Sequence, residues 1–147
     1  MTISSYCGGG NKMTTNQNDR QMITHPILLE ARQIAPNQIL INYDQRTDLA
    51  SAMNVSNYWI RSNMDRPAGI ATVGMSAALT AANAIRPDIG MITPADNTNM
   101  RFVMTFIVNA MSGIMYTVLP CFVNLEGRSG YRGENWGPFS RNMFIGR

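Results

Sequence analysis

Charge is scarce in this chain. Asp, Glu, Lys and Arg supply 14% of its 147 residues, well below the roughly 25% of an ordinary soluble domain. A surface so short of charge is often covered by a partner. Lysine is almost missing: Lys12 stands beside eleven Arg. Arg suits interfaces and phosphate or carboxylate contacts, because its planar fork loses less on desolvation; a genome-level bias gives the same composition without function. Histidine is reduced to His25 and cysteine to Cys7 and Cys121. A single His excludes a His-pair metal site, and beside Pro26 it reads as the flank of a helix rather than as a general base. The two cysteines exclude a CxxC site and a disulfide framework, and both read as reduced thiols.

Catalytic signatures are missing too. No G-x-S-x-G, no Walker loop and no G-x-G-x-x-G ahead of a helix occurs. The nine carboxylates are scattered among turns and helix ends, with no acid-base pair among them. Asp88, Asp96 and Asn97 do not match a calcium-loop spacing, and turn formation accounts for them. The expectation is a protein that is not an enzyme and carries no cofactor and no metal. Residues 1–22 lack the apolar core of a secretory signal, which points to an intracellular or virion location and leaves Asn54-Val55-Ser56 as a chance glycosylation sequon.

What the chain does contain is an apolar centre. Phe102 to Leu125 has no charged residue and lies between Arg101 and Glu126. It is long enough to cross a bilayer as a helix, yet Asn109, Ser112, Gly113 and Pro120 interrupt it. β-Branched and aromatic residues dominate on both sides of Met111-Ser112-Gly113, as in strands. The reading is a buried hairpin over 102–125, with Phe106 in its core and the second strand bending or ending at Pro120, which has no N–H to donate.

Around this centre, Pro26 to Ile34 reads as a short helix stopped by Pro36, and Gln38 to Tyr43 as a strand with Ile39 and Ile41 on one face. Thr47 or Asp48 is placed to cap a helix running to about Met64, although Tyr58-Trp59-Ile60 also suits a strand. Pro67 to Ile85 holds seven alanines, with Gly74, Ala78 and Ala82 at steps of four, and predicts a helix packed on the sheet. Pro87 to Asn99 reads as a loop. The expected fold is therefore α+β, a small antiparallel sheet centred on the 102–125 hairpin and packed against the Ala-rich helix.

The ends differ from this middle. Residues 1–22, with Gly8-Gly9-Gly10, read as a flexible arm; 23–125 form a single globular domain; and 126–147 form an Arg, Gly and aromatic arm. That last arm interleaves Arg128, Tyr131, Arg132, Trp136, Phe139, Arg141 and Phe144, residue types enriched at protein interfaces. The reading that follows is a structural, self-associating subunit of a larger assembly, of the virion or capsid-shell type, contacting other protein subunits through its arms. Two alternatives stand beside it. One is a small membrane protein with helices near 69–85 and 102–123; the other is a module that binds single-stranded nucleic acid through the C-terminal arm.

Overall fold

A computed structural model describes Cys7 and residues 24–147. The expected N-terminal arm lies outside the described residues, apart from Cys7. Strands β1 (Leu28–Ala35), β2 (Gln38–Tyr43), β5 (Arg101–Phe106) and β4 (Gly90–Pro94) form an antiparallel sheet in that order. Strands β3 (Tyr58–Ser62), β6 (Met115–Pro120) and β7 (Met143–Ile145) form a second. Among the described residues the sole α-helix is α1, Leu49–Ala52. The fold is thus mostly β, not α+β with an Ala-rich helix.

The two sheets share one core because their strands alternate in and out. From the first sheet Ile39, Ile41, Phe102, Met104 and Phe106 point inward; from the second Tyr58, Ile60, Tyr116 and Val118 meet them. A polar link crosses this core. Tyr58 donates to the Ala52 carbonyl at 2.6 Å, and its hydroxyl lies 2.6 Å from that of Tyr43. Burial in apolar surroundings pushes both phenols above their ordinary range.

The apolar centre forms two strands, as expected, but they are not a hairpin. β5 pairs with β2 and β4, whereas β6 pairs with β3 and β7, so residues 107–114 cross from one sheet to the other. Phe106 is buried and packs beside Gly90, where an added Cβ would lie 3.1 Å from its ring. The hairpin partner of β5 is β4, which occupies part of the expected 87–99 loop. β6 ends at Pro120, and Phe122 turns the chain with a φ of 66°.

Two expected helices are replaced for physical reasons. Residues 28–35 form β1, because the two-residue Pro36-Asn37 connection folds them back on β2. Of the helix expected over 48–64, the first turn survives, capped by Asp48 accepting from Ser51 N at 3.0 Å. Tyr58–Ser62 then form β3.

The Ala-rich segment is irregular, with a single 3-10 turn at Ala81–Asn83. Its backbone finds partners outside itself. Thr72 N and Val73 N donate to the Ile60 carbonyl, and Ser62 N donates to that of Val73, which closes the outer edge of β3. The Arg61 guanidinium gathers the carbonyls of Gly74, Met75 and Ala77 at 2.7, 3.0 and 2.8 Å. The Trp59 indole donates to the Thr80 carbonyl and to Asn83 Oδ1. These tertiary partners outweigh alanine's helix propensity, which is a few tenths of a kcal/mol per residue. Ala77, Ala78, Ala81 and Ala82 consequently stand exposed instead of forming a packing ridge.

The segment nevertheless covers something. Trp59 and Leu119, on the outer face of the second sheet, pack with Val73, Leu79, Ala84 and the cysteines in a second cluster. There Cys7 and Cys121 are joined as a disulfide, not held as reduced thiols. Their spacing of 114 residues in sequence hid what the fold brings together, with Cα atoms 5.7 Å apart. No helix among the described residues is long and apolar enough to cross a membrane, and neither 69–85 nor 102–123 is helical.

Candidate interaction surface

The C-terminal segment runs back along β6. Glu134 bridges Cys121, Asn135 N donates to the Pro120 carbonyl, and pairing resumes at Val118, where Val118 N donates to the Asn142 carbonyl and the Asn142 side-chain amide donates to the Val118 carbonyl. Between these points residues 136–141 leave the ladder. Arg141 crosses to the other sheet, donating its N–H to the Leu29 carbonyl and accepting from Ala31 N. The segment thereby stitches β1 to the second sheet.

This path divides the seven arm residues singled out in the sequence. Tyr131 is buried, stacks on His25 at 3.9 Å and donates to the Glu134 carbonyl. Trp136 packs against the second cluster, and Phe144 stacks on Tyr116 with ring centres 5.5 Å apart. Arg128, Arg132 and Arg141 are exposed, the last within 3.6 Å of Glu30. Phe139 is 94% exposed. It sits on a turn held at both ends, with Ser140 N donating to the Gly137 carbonyl and Gly137 N donating to Ser140 Oγ.

A residue that sequence reading missed holds the segment in place. Asn135 is fully buried; its amide donates to the Pro26 and Val123 carbonyls, and its Oδ1 accepts from Val123 N, each at 2.9 Å. Nothing in a Gly-rich stretch distinguishes such an asparagine from a turn former. Burying it with every polar group matched fixes three chain segments at one point.

The remaining electrostatics are superficial. Arg46 holds Glu126 below the ordinary carboxylate range through a hydrogen bond, Arg86 does the same to Asp88, and the Thr98 hydroxyl lowers Asp96. All three carboxylates lie at the surface and serve turns. Among the described residues no group of three His, Cys, Asp or Glu side chains is placed to hold a metal ion.

Where β1 and β7 lie side by side, a groove of about 520 Å³ opens, with Ala31, Phe144, Met143 and Ile145 as apolar lining and Glu30, Arg32, Arg141 and Arg147 at the rim. Beyond it, the described residues leave the outer face of β7 and of the first half of β6 uncovered. Met115 and Ile145 are cross-strand partners, Thr117 pairs with Met143, and the three apolar side chains are 37%, 56% and 57% exposed.

No protein-family model and no curated protein matches the sequence. Solved structures do match in fold. Domains 1–6 of surface layer protein SbsC align over 78% of this chain with a TM-score of 0.52 and 14% identity, and the N-terminal part of this bacterial S-layer protein aligns over 75% with 0.51 and 13%. A third structure, recombinant SbsC spanning 31–844, aligns over 83% with a TM-score of 0.51 and 15% identity. The chain spans 14%, 22% and 14% of the lengths of those proteins. The likeness is one of fold.

Proposed function

We propose that this chain is a structural subunit that associates with copies of itself in an extended assembly. The observation that carries the reading is the placement of apolar side chains. Phe139, Ile107, Met143 and Ile145 are all more than half exposed in a chain with little surface charge to keep it apart. The fold likeness to S-layer domains supports the same reading. Arg128, Arg132, Arg141 and Phe139 form the outward contact set of the C-terminal segment, while Tyr131, Trp136 and Phe144 hold that segment to the body. A virion shell draws no support from these neighbours. The buried disulfide favours an oxidising setting, as at a cell surface, over a reducing interior.

The test is the mass of the purified chain by light scattering without detergent, at two concentrations. Deleting the tail after Gly127 would remove β7, so the appropriate variant is Phe139→Ser with Arg132→Ala. The expected result is a particle well above the 16.3 kDa monomer that grows with concentration and shrinks in the variant. A monomer at both concentrations contradicts self-association.

A further inference from the structure

We infer that the bare outer half of the three-stranded sheet, together with the crossover loop beside it, is a contact surface for a second copy of this chain. The inference rests on the self-association proposed above and names the face that carries it.

The surface is continuous. Ile145 stands across from Met115, and the following Gly146 packs so closely on Met111 that a side chain there would collide with the Met111 carbonyl. Gly113 N donates to the Gly146 carbonyl, and Gly146 N to that of Ile114. Met111, Met115, Met143 and Ile145 are exposed by 44, 37, 57 and 56%. Their exposed area is on the order of 400 Å², within the range for a monomer's largest apolar patch. It comes close to the apolar share, roughly 57%, of the ~800 Å² that one partner contributes to a standard interface.

Three features select a second copy as occupant. No charged residue occurs from Ile107 to Leu119, so the face does not select a partner by charge and is complementary to itself. The adjoining β1–β7 groove carries both signs, with Glu30 3.3 and 3.6 Å from Arg32 and Arg141 and with Arg147 beside them, a mixed-charge border that does not set two copies apart. Three of these four apolar residues are Met, whose unbranched side chains adapt to a like surface.

Sedimentation velocity of the full chain tests this, using Met115→Asp with Ile145→Asp against the control Met91→Asp, an exposed residue on β4. Circular dichroism checks that each variant folds, and Met143→Lys replaces the double variant if that one does not. The expected result is self-association weakened about 100-fold by the patch variant, ~2.8 kcal/mol at 1.4 kcal/mol per tenfold, and less than about threefold by the control. A folded patch variant that associates like the wild type overturns this inference and leaves self-association standing. A wild-type chain that stays monomeric overturns both.

Discussion

The two halves of the outer face of the three-stranded sheet are treated differently. Over β3 the chain covers the sheet itself: Trp59 and Leu119 lie beneath Val73, Leu79 and Ala84, with the Cys7–Cys121 bridge alongside. Over β6 and β7 nothing among the described residues covers Met115, Met143 and Ile145. Both halves present apolar side chains, and β6 contributes Leu119 to one and Met115 to the other, so composition does not separate them. What differs is where the long connection between β3 and β4 is held. Arg61 and the β3 edge bind it over one half and leave the other open. The lesson is that a sheet face reads the same in sequence whether its cover comes from its own chain or from another molecule.

Substitutions should divide along this line. Trp59→Ala removes a side chain that is 1% exposed and is expected to lower folding stability by about 3–5 kcal/mol in denaturant titration. A loss of about 1 kcal/mol or less would mean that the connection is not a true cover. Arg61→Met keeps the stem but strips three carbonyls of their donor; about 1–3 kcal/mol is expected, with faster amide exchange in residues 72–77. Unchanged exchange would mean that the β3 edge alone holds the segment. Ile145→Ala, at 56% exposure, should leave stability within about 0.5 kcal/mol while weakening association. A cost above about 2 kcal/mol would move Ile145 into the folded core.

The sequence reading succeeded where strand signals are local. Ile39 and Ile41 share a face in β2, and branched and aromatic residues form β5 and β6, with Pro120 ending the latter. Asp48 caps a helix, though one of a single turn. It failed where the outcome depends on distant partners. The two runs of the apolar centre join different sheets because β2 and β3 compete successfully for them. The Ala-rich segment forms no α-helix because Arg61 and Trp59, which precede it, take the carbonyls of Gly74, Met75, Ala77 and Thr80. Of the seven C-terminal residues singled out in the sequence, Arg128, Arg132, Phe139 and Arg141 face outward, while Tyr131, Trp136 and Phe144 turn inward, a division that the alternating composition does not reveal. The crossover loop and Met115 read as part of the buried 102–125 hairpin, and Met143 and Ile145 as part of the C-terminal arm, since an apolar run gives no sign of which residues stay uncovered.

Methionine methyl resonances give the most direct test, because Met residues mark both the open half and its surroundings. With the ε-methyl groups labelled, spectra recorded over a hundredfold range of protein concentration should move Met111, Met115 and Met143 together. Met75, on the covering segment, and Met91, on β4, should stay in place although they are 58% and 57% exposed. Shifts confined to Met75 and Met91, or no shift at any concentration, would contradict the account.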